Sequence, residues 1–306
     1  MPLSPSDLTG VFPAMVTPFT ADGTIDRPAV KTLVEHLLAG GASGLVPIGG
    51  TGEYTALTPA ERKEMVAVTV EAAAGRVPVV AGVLSPGYGE AKLAGDDMKA
   101  AGADAVMLLT PFYALGTQEG VRRYFQAFRS DVDLPIVFYE IPARTNISAK
   151  ADTLQAIVED GSIIGMKYSN YDLVEFIKVM DRVGDKVAVM SGEEPLFATH
   201  LSLGATGGVL ATSNIYPRIW THIFELAKAG NLTEAVAMQN RLEPLFAAIF
   251  GEANPGPLKR AMKMAGLDAG EVRLPLLPPS AETIDKLEAI MPMLDDLEAA
   301  PLAKAG

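Results

Sequence analysis

The sequence contains no cysteine. Disulfides, thiolate nucleophiles and cysteine-ligated metals are therefore excluded. Histidine is almost as scarce: His36, His200 and His222 are the only three, and none belongs to a metal-ligand motif. Positive charge is the minority sign, with 25 Lys and Arg against 37 Asp and Glu and a formal net charge of −12. That balance argues against a basic face for nucleic acid or anionic lipid, while leaving room for a local basic pocket. Long apolar runs are missing too, so no membrane-spanning helix is predicted. The first residues, MPLSPSDLTG, lack a basic segment followed by an apolar one. They do not read as a secretory signal, and a cytoplasmic location is expected. What is present is a 306-residue chain, 49% hydrophobic and 20% charged, enough for one large core or two modest ones.

Short apolar runs recur at 11–16, 44–48, 77–81, 105–109, 134–139, 163–166, 187–190 and 207–210. Most are apolar throughout rather than alternating, the pattern of strands covered on both faces. Amphipathic stretches separate them, at 27–39, 59–73, 87–100, 118–129, 149–158, 173–183 and 194–202. Thr58, Pro59 and Glu61 supply a cap, a first-turn proline and a capping-box partner for the second of these. Eight alternations predict an α/β fold, a (β/α)8 TIM barrel over 1–229. A doubly wound sheet would carry a glycine-rich phosphate loop after an early strand, and 13–18 has none. Helices are predicted at 215–229, 232–250, 257–265 and 280–294, with a three-proline crossing at 274–279. Residues 230–306 thus read as a C-terminal helical extension packed on the barrel.

A barrel places its chemistry at the C-terminal ends of its strands. Lys167 closes the sixth apolar run, where lost solvation favours the neutral amine that attacks ketones. Tyr139 closes the fifth and is positioned to relay protons. Arg144 follows in the next loop and suits a carboxylate. The loop Gly49-Gly50-Thr51-Gly52-Glu53 offers a hydroxyl and backbone N–H groups to an anion, without the lysine of a nucleotide loop. Each feature also has a plain structural alternative: a paired strand-end lysine, a mouth aromatic, a tied loop arginine, an ordinary turn. Together they suggest a substrate with both a ketone and a carboxylate.

These segments, with Tyr139-Glu140-Ile141-Pro142-Ala143-Arg144-Thr145, Gly165-Met166-Lys167 and Asn254-Pro255-Gly256-Pro257-Leu258-Lys259, are highly specific in their order. Thr110-Pro111-Phe112-Tyr113 and Ser191-Gly192-Glu193 add to them. From residue 8 to 294 the chain resembles the dihydrodipicolinate synthase / N-acetylneuraminate lyase family of class I, Schiff-base-forming aldolases. The resemblance implies Lys167 as the Schiff-base lysine, Tyr139 as the proton-transfer group, and Tyr113 as a tyrosine reaching across a subunit interface. It implies Thr51, Arg144, Val209 and Gly192 at the substrate. Gly50 stands where a hydroxyl residue is usual, Glu140 where asparagine is usual, and Tyr168 is expected to narrow the pocket or add a hydroxyl. A homotetramer built as a dimer of dimers, with no metal or organic cofactor, is also implied.

The expected function is a Schiff-base-dependent lyase acting on a small 2-oxo acid or related imino acid through a lysine-bound enamine. Aldol cleavage, dehydration and deamination share that intermediate. One alternative is a synthase condensing pyruvate with aspartate semialdehyde. Another, of a different class, is a non-catalytic barrel that binds 2-oxo acids.

Overall fold

Seven parallel strands and one shorter extended segment close into a barrel in the computed structural model, which describes residues 2–300. The strands are β1 (Gly10–Pro13), β2 (Val80–Val83), β3 (Ala105–Leu109), β4 (Ile136–Glu140), β5 (Gly165–Tyr168), β6 (Ala188–Ser191) and β7 (Gly207–Leu210). They lie in the order β1-β7-β6-β5-β4-β3-β2. The remaining gap, between β1 and β2, is filled by the run predicted at 44–48. Its backbone bonds both neighbours: Val46 N–H donates to Pro13 O at 3.0 Å, and Val80 N–H donates to Leu45 O at 2.9 Å. The run stays short because Pro47 has no N–H to donate and Ile48 turns into the left-handed region at φ 51. The fold is a (β/α)8 barrel, as expected.

Around the barrel run α1 (Arg27–Ala39), α2 (Pro59–Ala73), α3 (Tyr88–Ala100), α4 (Gln118–Asp131), the short α5 (Pro142–Thr145), α6 (Ala151–Glu159), α7 (Leu173–Val183), α8 (Phe197–Ser202) and α9 (Pro217–Lys228). The capping box of α2 is formed, with Glu61 N–H donating to Thr58 Oγ1 at 3.3 Å and Thr58 N–H to Glu61 Oε2 at 2.8 Å. Strand residues are buried on both sides, inward against other strands and outward against these helices. Trp220 of α9, fully buried against Phe197 and Phe246, is among the largest of the outer-layer anchors. Burial of such a side chain contributes about 3 kcal/mol.

The C-terminal extension comprises α10 (Leu232–Asn240), α11 (Glu243–Phe250), α12 (Gly256–Met264) and α13 (Ala281–Ala299). A single helix was expected over 232–250. It breaks at Arg241 and Leu242 because Pro244, in the first turn of α11, cannot continue a helix from the preceding turn. The extension is tied to the barrel by polar contacts. Gln239 accepts from Ala198 N–H at 2.7 Å and donates to Pro195 O at 2.8 Å. Glu298 accepts the N–H groups of Arg218 and Ile219, each at 2.9 Å. Among the described residues, no helix is long and apolar enough to cross a membrane.

Candidate active site

Tyr139 and Lys167 are register partners on the adjacent strands β4 and β5. Paired positions face the same side, so both project into the barrel. Lys167 Nζ lies 3.5 Å from Tyr139 Oη and 4.6 Å from the centre of its ring. Each residue is 7% exposed, so the pair is largely buried. Gly192, just past β6, completes this wall. A Cβ there would stand 2.8 Å from Lys167 Cε and would collide with Ser169 Oγ. The missing side chain is the room the lysine stem occupies. Val209 also faces inward, since the Cβ absent from its neighbour Gly208 would point outward at Phe197 of α8.

The turn after the short extended run presents Thr51, 7% exposed. Ile48 and Glu53, at φ 51 and 57, bracket it in the left-handed region. Such residues cost about 1–3 kcal/mol each and persist only where their surroundings hold them. Gly52 is required here, because its Cβ would lie 2.7 Å from the Ile48 backbone. Gly50 is not: a Cβ there meets nothing within 4 Å. Among the described residues, the N–H groups of Thr51 and Gly52 have no backbone acceptor, the arrangement of an anion nest. Asn254, in the loop before α12, donates from Nδ2 to Thr51 Oγ1 at 2.9 Å.

Two expected residues lie elsewhere in the single chain. Tyr168 does not enter the pocket. Strand residues alternate, so with Lys167 inward Tyr168 points outward, buried edge-on to Phe176 and His200, with its hydroxyl donating to Asp172 O at 3.0 Å. The inward neighbour is Ser169, whose Oγ donates to Gly192 O at 3.3 Å. Two-residue periodicity counted from Lys167 identifies it. Tyr113 is 90% exposed on the loop after β3, whereas Lys167 and Tyr139 are buried. Arg144 is exposed on α5, directly beyond β4 at the barrel mouth.

Acidic groups surround the pocket without entering into metal-like clusters; among the described residues no group of three or more His, Cys, Asp or Glu is placed to hold a metal ion. Glu194 is 4% exposed and accepts the N–H groups of Ala211 and Thr212 at 2.6 and 3.2 Å. Burial pushes its carboxyl up, as it does that of Glu193, and in both cases the charge of Lys167 opposes the rise. Glu140, outward on β4, is pushed up to about 7 by burial, against the Ser148 hydroxyl at 2.6 Å and the Ala149 N–H at 3.3 Å. His200 is driven down to about 4 by burial and remains a neutral core residue bonded to Ser191 at 2.8 Å.

The chain matches the model of the Dihydrodipicolinate synthetase family over residues 7–293. It is 38% identical over 289 residues to the 4-hydroxy-tetrahydrodipicolinate synthase of Methanothrix thermoacetophila, spanning 94% of this chain and 97% of that one. Against the 4-hydroxy-tetrahydrodipicolinate synthase of Anaeromyxobacter dehalogenans it is 35% identical, over 93% and 96% of the two chains. The solved structure of the 4-hydroxy-tetrahydrodipicolinate synthase from Methylacidiphilum fumariolicum SolV is similar, with a TM-score of 0.90 and 32% identity over 94% of this chain and 96% of that one. A chloride-inhibited dihydrodipicolinate synthase from Acinetobacter baumannii, solved with pyruvate, gives a TM-score of 0.91 and 30% identity over 94% and 99%.

Proposed function

Because the chain belongs to the dihydrodipicolinate synthetase family, and so is a Schiff-base-dependent lyase of the class I aldolase type, we propose that it condenses pyruvate with aspartate semialdehyde. The single observation that carries the mechanism is the Lys167–Tyr139 pair, 3.5 Å apart and buried at the C-terminal end of adjacent strands. Lys167 Nζ attacks the ketone carbon of pyruvate, and loss of water leaves an iminium. The iminium nitrogen draws electrons from C3, which gives up a proton and becomes the enamine carbon. That carbon forms the new bond to the aldehyde carbon of the second substrate, whose oxygen takes up a proton. The amino group of the second substrate then adds to the iminium carbon, closing the ring and expelling the Lys167 amine. Tyr139 Oη receives and returns the protons. Thr51 and the adjacent N–H groups neutralise the pyruvate carboxylate, and Arg144 holds the carboxylate of the second substrate. Val209 and Gly192 shape the floor around the bound 2-oxo acid. The iminium is itself the electron sink, so this route uses no metal or organic cofactor.

The open space at Gly50 favours a second reading, a lyase or dehydratase for a hydroxylated 2-oxo acid or related imino acid. A substrate hydroxyl would occupy the volume that a side chain leaves free. We further propose a cytoplasmic homotetramer, a dimer of dimers. Exposed Tyr113 and the exposed stripe of Tyr171, Val174 and Ile177 supply apolar surface for contact between copies. The extension after residue 229 acts as part of the site rather than as a separate functional unit, since Asn254 touches Thr51.

Borohydride reduction with pyruvate, read by intact mass, tests the mechanism. A covalent adduct is expected, and its loss in Lys167→Ala assigns the lysine. An adduct of unchanged yield in that variant would overturn the assignment. No adduct with any 2-oxo acid would favour the non-catalytic binder. Turnover with aspartate semialdehyde against hydroxylated 2-oxo acids separates the two readings.

A further inference from the structure

Asn254 touches Thr51, but no chemical step above runs through the motif Asn254–Lys259 or through the carboxyl of Glu53, and these meet beneath the glycine turn. Lys259 Nζ lies 2.7 Å from Glu53 Oε1, with the two side chains 3% and 0% exposed. The other carboxyl oxygen of Glu53 accepts Arg273 N–H at 2.8 Å. One oxygen is thus hydrogen-bonded and the other ion-paired, which holds the carboxyl from two sides. Lys259 is fixed in turn by Glu271 O at 3.1 Å and by the Phe19 ring, 4.2 Å away at its centre. Arg273 reaches on to the loop before α2 and to its first turn, bonding Ala56 O at 3.1 Å and Glu61 at 2.5 Å. A pair this deeply buried is weak evidence for stability, because desolvation consumes most of the attraction, but it fixes geometry well.

What it fixes is the turn that carries Thr51. Glu53 is one of the two left-handed residues bracketing that turn, and its side chain anchors the strained end. Asn254 acts on the middle. With its amide assigned in this orientation, Nδ2 donates to Thr51 Oγ1, so the hydroxyl proton of Thr51 is directed to a different acceptor. From the segment after β1, Thr17 adds a further tie to the turn, its Oγ1 donating to Gly52 O at 2.7 Å.

We infer that Glu53, Lys259 and Asn254 are positioning residues for the carboxylate of the 2-oxo acid: through them the C-terminal extension holds the 48–53 turn in its binding shape. The inference rests on the proposed Schiff-base mechanism and adds a role for the extension that the mechanism does not require. Selectivity for a charged carboxylate is what the clamp confers.

The test compares reductive trapping of pyruvate with that of pyruvamide, which keeps the ketone and lacks the charge. Asn254→Ala and the double variant Glu53→Gln/Lys259→Met are measured beside the wild-type protein. Expected is a rise of at least tenfold in the pyruvate concentration for half-maximal trapping, with the limiting rate within about threefold. The preference for pyruvate over pyruvamide falls by a similar factor. A merely structural role lowers both trapping rates together and leaves the preference intact, which would overturn the inference. Should the double variant not fold, Asn254→Ala decides alone, since it leaves the ion pair in place. Failure of the wild-type protein to trap pyruvate would instead strike the mechanism itself.

Discussion

The stem of Lys167 occupies the volume that Gly192 leaves open: a Cβ on Gly192 would lie 2.8 Å from Cε and 3.0 Å from Cγ of the lysine. A residue of β5 and one just past β6 therefore share one space. The reach of the amine toward Tyr139 depends on the absence of a side chain opposite. Gly192→Ala is expected to displace Nζ and reduce the rate of reductive trapping about 100-fold, the scale of a misplacement near 1 Å. Trapping within threefold of wild type would show that the lysine tolerates the methyl group.

Arg144 is exposed and stands at the mouth rather than in the core. Its removal should spare the fold and the first half-reaction. In Arg144→Ala the KM for the carboxylate-bearing second substrate is expected to rise at least tenfold, while half-saturation by pyruvate stays within twofold. Steady-state kinetics with each substrate varied in turn provide the check. A change confined to pyruvate would move the arginine to the other carboxylate.

Gly50 has open space around it and no positive φ. Gly50→Thr should fold with an unchanged thermal midpoint. If the gap serves a substrate hydroxyl, turnover of hydroxylated 2-oxo acids falls about tenfold in this variant and pyruvate trapping does not. If the protein is a synthase, the added hydroxyl leaves condensation equal or faster. Parallel assays on the two substrate classes distinguish these outcomes.

Glu140 gives a pH signature. Burial raises its carboxyl from 4.5 to about 7, with Glu175 adding to the rise and the Ser148 and Ala149 bonds opposing it. The neighbouring Tyr168 hydroxyl faces it as well, and is itself pushed up. The folded protein therefore keeps this proton over a range where the unfolded chain has lost it. Stability from this group is present below about pH 4.5 and declines by about 3 kcal/mol as pH rises through 7. Glu140→Gln should flatten that decline and be the more stable form at pH 8. Urea unfolding of both proteins at pH 5 and pH 8 measures it; equal pH slopes would refute the assignment.

Much of this was readable one residue at a time. The helices Arg27–Ala39, Pro59–Ala73 and Leu173–Val183 follow from amphipathic spacing and, in the second, from a capping box. Local signals of that kind need no knowledge of distant contacts. Tyr168 shows where the residue-by-residue reading went astray: it adjoins the lysine in sequence and lies on the opposite face of the strand. The alternation that separates them was available, and it points to Ser169. The break at Pro244 was equally open to inspection.

Asn254 and Glu53 differ in kind. No periodicity or spacing links a residue of the C-terminal extension to one in the turn after the short extended run, 203 positions away for Asn254 and Thr51. The alternation of strands and helices, and the strand-end positions of the lysine and tyrosine, were determined by the sequence alone, because apolar runs and turn chemistry act locally. Which side chains converge, which carboxyl is buried and which glycine yields space to a lysine were decided by tertiary packing. Those properties arise from distances and desolvation, which exist only once remote segments are brought together.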